Sequence, residues 1–156
     1  MEPLLRVVVS ANPVSGRGGS TGAKSSEEAG NGPQRPSTIL VVEDEILVRM
    51  PVADYLRDCG YRVLEASTAA EAQAVFNTKE PIEIVISDVN MPGDMNGFAL
   101  AKWIRQEHPG VRVILTSGIN NMAKNAEDVC EDSPFLEKPY SYENLAMHIR
   151  RLLSQA

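Results

Sequence analysis

Four short apolar runs in this 156-residue chain lead into residues that can do chemistry. "TILVV" runs into Glu43-Asp44, "IEIVIS" into Asp88, "VRVILTS" ends on Thr116-Ser117, and "PFLE" leads to Glu137-Lys138-Pro139. Taken one at a time, each has an ordinary explanation. Asp44 can cap the helix that follows it, and Asp88 can open an Asx-turn into Met91-Pro92-Gly93. Taken together, three acids, a hydroxyl and a lysine at the same ends of neighbouring strands need a common cause. Two unit charges about 4 Å apart repel by about 4 kcal/mol at an effective dielectric of about 20. A cluster of carboxylates therefore takes up a proton or a cation. With a backbone carbonyl it becomes an all-oxygen site, which suits Mg²⁺, an ion that keeps several waters and coordinates phosphate. A carboxylate kept ionised by Mg²⁺ and a lysine can attack phosphorus and become an aspartyl phosphate. The same two cations stabilise charge spread over the phosphoryl oxygens in the transition state.

That chemistry requires the four runs to end at one place. From Thr38 onward the pattern alternates between short β-branched runs and segments of helical period. "TILVV", "YRVLEA", "IEIVIS", "VRVILTS" and "PFLE" read as strands. "EILVRMPVADYLRDCG" reads as a helix with Ile46, Met50, Ala53 and Leu56 at helical spacing and Gly60 as its stop. Pro51 falls inside it, where it removes a hydrogen bond, so a kink or a late start is expected. "STAAEAQAVFNT" is a second helix, with Ser67 or Thr68 as cap and Glu71 placed for a capping box. "GFALAKWIRQEH" is a third, stopped by Pro109-Gly110, and residues 119–132 form a weakly periodic fourth. "SYENLAMHIRRLLSQ" is the fifth, capped by Ser141 with Leu145, Ile149 and Leu152 on one face. Continuous apolar strands alternating with helices imply a parallel sheet covered on both faces. Sites in such sheets lie outside the carboxyl ends of the strands. The second strand ends in Glu65-Ala66, which reads as peripheral.

Composition narrows the function classes. The formal charge is −6, which argues against a general nucleic-acid-binding surface. Residues 10–37 hold six Gly, six Ser and three Pro, too little apolar material to offset the entropy of ordering. Residues 1–37 therefore read as a flexible tail and 38–156 as the folded domain. Arg6, Arg17, Lys24 and Arg35 against Glu2, Glu27 and Glu28 give the tail +1, which leaves −7 on the domain. "GGSTGAKS" resembles a phosphate-binding loop, but Ala23 separates Gly22 from Lys24 and no helical pattern follows, so it reads as linker. Cys59 and Cys130 have no metal spacing and read as ordinary thiols of a reducing compartment. No apolar run approaches the roughly 18 residues that span a bilayer, and a soluble cytoplasmic protein is expected.

Residues 38–154 resemble the receiver domain of bacterial two-component response regulators. The resemblance rests on the acidic pair Glu43-Asp44 after the first strand and Asp88 after the third. Beyond these lie Met91-Pro92-Gly93, Met95-Asn96-Gly97, Thr116 after the fourth strand and Lys138-Pro139 after the fifth. It implies a three-layer (βα)₅ doubly wound fold of the flavodoxin-like, CheY-like type, with strand order 2-1-3-4-5. It also implies that Asp88 is the phosphoacceptor and that Asp44 ligates Mg²⁺ directly. Glu43 helps through water, and Asn90 contributes its backbone carbonyl. Thr116 contacts the phosphoryl group and moves on activation, Lys138 pairs with the phosphate, and the Lys138-Pro139 bond is cis. The implied partners are a histidine kinase or phosphotransfer protein and a downstream protein target. The domain is then not an enzyme, although it assists its own phosphorylation and dephosphorylation.

Two departures stand out. Gly93-Asp94 makes the loop after Asp88 one residue longer than in compact receivers. The switch aromatic, three residues before the lysine, is Phe135, which has no hydroxyl. Because the chain ends at Ala156, just past the last helix, a stand-alone receiver is expected, a monomer or weak dimer. Its output would be a protein contact through the fourth helix, fifth strand and fifth helix, or it would serve as a relay or phosphate sink. Two alternatives come from other classes. One is a receiver fold used as a phosphate-independent binding module, which the intact set Glu43, Asp44, Asp88, Thr116 and Lys138 disfavours. The other is an aspartyl-phosphate phosphatase of the dehalogenase-like class. That class keeps its nucleophile after the first strand with a second Asp two residues on, whereas Asp88 follows the third strand and Asn90 stands two on.

Overall fold

In a computed structural model, described over residues 34–118 and 134–156, five parallel strands form one sheet in the order β2-β1-β3-β4-β5. Along the chain the elements are β1 (Thr38–Val42), α1 (Ile46–Asp58), β2 (Arg62–Ala66), α2 (Ala69–Asn77), β3 (Ile82–Asp88), α3 (Gly97–Glu107), β4 (Arg112–Ser117), β5 (Phe135–Glu137) and α4 (Tyr142–Ser154). The segment read from sequence as a fourth helix, residues 119–132, and the tail up to residue 33 lie outside the described residues. The helix numbered α4 here is therefore the fifth of the sequence reading.

The strands are apolar on both faces because both faces meet helices. Leu40, Val42, Val85, Val113 and Leu115 point to one side, against Ala72, Val75 and Phe76 of α2 and Leu100, Ala101 and Ile104 of α3. Their neighbours Ile39, Val41, Ile84, Ile86 and Ile114 point to the other, against Val52, Ala53 and Leu56 of α1 and Leu145, Ile149 and Leu152 of α4. The period of two along each strand thus builds two cores and three layers. The register brings the carboxyl ends level: Val42 faces Ala66 and Ser87, Asp88 faces Thr116, and Ser117 faces Glu137.

Local signals start three of the helices. Thr68 caps α2 by accepting from the Glu71 N–H at 3.1 Å, and the Glu71 carboxylate reaches back to the Ser67 N–H at 2.6 Å. Asn96 accepts from the Ala99 N–H at 2.9 Å to start α3, and Ser141 from the Asn144 N–H at 3.1 Å to start α4. The first helix departs from expectation. It begins at Ile46 and runs through Pro51 instead of starting late. Of the expected stripe, Ala53 and Leu56 are buried, together with Val52, but Ile46 and Met50 are 52% and 49% exposed. The helix carries apolar residues on more than one face, and spacing alone chose the wrong pair. Stepping back three and four residues from Val52 and Ala53 leads to Val48 and Arg49, so an arginine stands where the buried stripe meets the acidic end of the sheet.

Candidate functional site

The β1 ladder does not stop at the strand's last apolar residue. The Glu43 N–H still donates to the Ala66 carbonyl at 3.0 Å, so Glu43 leaves the sheet edge in a fixed direction. Its carboxylate is buried and accepts from two sides: the Glu45 N–H at 3.2 Å and the Lys138 ammonium at 2.8 Å. Asp88 is the last residue of β3 and is also buried. One of its oxygens accepts from the Asn90 N–H at 3.3 Å, and the other lies 3.4 Å from Lys138 Nζ. Asp44 is exposed beside them. One carboxylate oxygen from each of Glu43, Asp44 and Asp88 lies within 4.8 Å of the others. This is an all-oxygen donor set of the kind hard cations take.

The remaining expected residues stand at the ends of the neighbouring strands. Thr116 is buried in register with Asp88, and its carbonyl accepts from the Val89 N–H at 2.9 Å. Lys138 follows β5, its N–H donating to the Ser117 carbonyl at 2.8 Å, and the Lys138-Pro139 bond is cis. Phe135 opens β5 half-buried against the core on the α2–α3 side. Asn90 is exposed in the loop after β3, and Gly93 takes φ +105°, a left-handed turn in that loop. His108 stacks on Phe76 at a ring separation of 4.4 Å, with Trp103 edge-on at 5.2 Å, in a separate aromatic group between α2 and α3.

Electrostatics couple Glu43 to Lys138. Burial pushes the Glu43 carboxyl above its ordinary range, and the charge on Asp88 adds to this against the lowering effect of the Lys138 hydrogen bond. Burial alone would lower the Lys138 ammonium, but its bond to Glu43 and the charges of Asp88 and Glu43 outweigh that and raise it. The two partners move the same way for opposite reasons. The lysine gains from two anions, while the glutamate loses water and faces a second acid.

Three more residues shape this edge: Arg49 and Tyr140, which sequence reading did not single out, and Gly97, which it quoted only as part of Met95-Asn96-Gly97. Gly97 packs so closely under β3 that a Cβ there would stand 2.2 Å from the Asp88 carbonyl oxygen. Tyr140 lines a crevice with Glu43, Asp88 and Thr116, and burial pushes its hydroxyl up to about 12. Arg49 lines the same crevice and donates to the Glu43 carbonyl at 2.7 Å. Its place on the buried stripe of α1 was the available signal.

The family model described as the response regulator receiver domain matches residues 39–150. The sensor kinase CckA of Brucella abortus is 36% identical over 122 residues, covering 76% of this chain and 13% of that protein. The aerobic respiration control protein ArcA of Escherichia coli K12 is 32% identical over 117 residues, covering 75% of this chain and 48% of ArcA. The chain thus spans less than half the length of these two relatives. Among solved structures, a response regulator receiver protein from Sinorhizobium medicae has a TM-score of 0.71 at 26% identity, covering 76% of this chain and 95% of that one. The response regulator protein TrrA from Thermotoga maritima, solved in complex with Mg(2+)-BeF, has a TM-score of 0.67 at 26% identity, covering 74% and 98%.

Proposed function

The chain belongs to the response regulator receiver domain family, and on that premise we propose that it accepts a phosphoryl group on Asp88 from a histidine kinase or phosphotransfer protein. The observation that carries the reading is a cluster of three carboxylates within 4.8 Å with one lysine against two of them. In the transfer, an Asp88 carboxylate oxygen forms a bond to phosphorus as the bond from phosphorus to the donor histidine nitrogen breaks. The imidazole leaves with that electron pair. Lys138, 3.4 Å from Asp88, carries the charge of a phosphoryl oxygen. The buried Thr116 hydroxyl is the neutral donor beside it. The Asn90 N–H orients the acceptor carboxylate.

Glu43, Asp44, Asp88 and the Asn90 carbonyl would hold Mg²⁺, which when bound offsets the charge of the acids and of the incoming phosphate. Support for the ion comes from the all-oxygen donor set and from the similar TrrA, solved with Mg(2+)-BeF. Exposed Ile46, Leu47 and Met50 at the start of α1 offer the donor protein an apolar contact close to Glu43 and Asp44.

Output in this reading is a protein contact near β5 and α4. Rearrangement at Phe135 is driven by packing, since that ring has no hydroxyl to hydrogen-bond. A monomer or weak dimer, a cytoplasmic site of action and the lack of a nucleic-acid partner belong to the proposal as well. No described helix is long and apolar enough to cross a membrane. Intact-mass measurement after incubation with Mg²⁺ and acetyl phosphate tests the reading. The expected result is a gain of one phosphoryl group that Asp88→Asn removes. No gain, or a gain that persists in Asp88→Asn, contradicts it. Multiple turnover on small phosphoesters would favour a phosphatase instead.

A further inference from the structure

Arg49 ties the acidic turn to the neighbouring strand. Its Nη1 donates to the Glu43 carbonyl at 2.7 Å, and its Nε donates to Glu65 Oε2 at 3.2 Å. The other Glu65 oxygen accepts from Arg57 at 2.7 Å. With the Glu43 N–H already given to Ala66, both backbone polar groups of Glu43 are bonded, one to β2 and one to α1. Arg49 and Glu65 are only 15% and 27% exposed at the side chain, so this pair is better shielded than a surface ion pair. A guanidinium suits the task because its fork presents several donors in fixed directions, which an ammonium does not. Glu65, read from sequence as peripheral, is thereby one residue removed from the site.

We infer that Arg49 is a positioning residue for the cation site. It holds the turn between β1 and α1 so that Glu43 and Asp44 face Asp88 before any cation arrives. The inference rests on the proposed Mg²⁺ site, and its sign separates it from a simple charge effect. Arg49 brings a positive charge close to a site for a positive ion, so charge alone predicts that removing it tightens Mg²⁺ binding. Positioning predicts the opposite.

The test uses Arg49→Ala, Glu65→Gln and, as a control on the outer contact, Arg57→Ala. Two readouts are taken: Mg²⁺ affinity by calorimetry, and amide hydrogen exchange in the metal-free protein. Losing a residue that orients a metal ligand should weaken Mg²⁺ binding about tenfold in Arg49→Ala. Exchange at the Glu43 and Glu45 amides should rise about tenfold relative to Ala53 and Leu56. Glu65→Gln should raise the same exchange by about threefold, and because losing an acid weakens Mg²⁺ binding by charge as well, that exchange readout decides the matter if Arg49→Ala does not fold. Arg57→Ala should leave both within about twofold. Unchanged or tighter Mg²⁺ binding overturns the inference, as does exchange that rises uniformly with loss of global stability. If the unaltered protein binds no Mg²⁺, the metal reading falls and the exchange pattern alone decides whether Arg49 holds the turn.

Discussion

Gly97 shows how a residue without a side chain governs the site. A Cβ there would stand 2.2 Å from the Asp88 carbonyl oxygen and 2.7 Å from Val89 Cα, backbone atoms that cannot rotate aside. Gly97→Ala must therefore push α3 away from the end of β3, and overpacking of this kind costs about 1–3 kcal/mol. A lower melting temperature and slower phosphoryl uptake are expected. Gly110→Ala, where a Cβ meets nothing within 4 Å, should change neither, and equal effects of the two substitutions would count against this account. Glu43 makes a second prediction at the same scale. Its folded pKa lies above the unfolded value of 4.5 because of burial, then because of Asp88. A raised carboxyl contributes stability that is full below that value and is lost as pH rises through the folded value. At the proposed Mg²⁺ site the cation would take the proton's place at higher pH. Mg²⁺ should thus raise the melting temperature more at neutral pH than near pH 4.5, and an equal rise at both would contradict it.

At the scale of elements, α1 carries the clearest test. Pro51 is exposed in the second turn, and its missing N–H leaves the Leu47 carbonyl without its usual partner. Pro51→Ala restores that bond on a solvent-facing side, so a gain of about 1–3 kcal/mol is expected. A denaturation midpoint that fails to rise would show that the proline is accommodated some other way. The same helix marks where sequence stops being informative. Strand ends were legible because an apolar run that closes on a charge has only one sensible place in a parallel sheet, its carboxyl edge. The caps of α2 and α4 were legible because Thr68, Glu71 and Ser141 act on N–H groups three or four residues away. The inward face of α1 was legible only in part. Ala53 and Leu56 of the expected stripe go inside, but Ile46, Leu47, Val48, Met50 and Val52 are all apolar, and packing against Ile84 and Ile86 decides that Val52 joins them while Ile46 and Met50 do not. Arg49 was missed, and Gly97 was quoted without its packing role, for a related reason: what they do is set by contacts with strand ends outside their own helices.

For the whole molecule, the described buried apolar residues all fall between Ile39 and Leu152, within the unit Pro36–Ala156. Removing residues 1–35 should leave the melting temperature and phosphoryl uptake unchanged. A marked drop in either would place part of the working domain in that segment. The net charge of −7 on residues 38–156 was legible from composition, and the meeting of four strand ends followed from topology. The meeting of Lys138 with Glu43 at 2.8 Å and Asp88 at 3.4 Å is a matter of distances that no sequence carries.

The central claim is that one carboxylate, Asp88, takes the phosphate, and locating the modified residue tests it most directly. After reaction with acetyl phosphate and Mg²⁺, borohydride reduction converts an aspartyl phosphate into homoserine, which peptide sequencing by mass spectrometry can place. The account predicts homoserine at position 88 in the unaltered protein and none in Asp88→Asn. Homoserine at position 44, or no reduced residue in a chain that has gained a phosphoryl group, would contradict it.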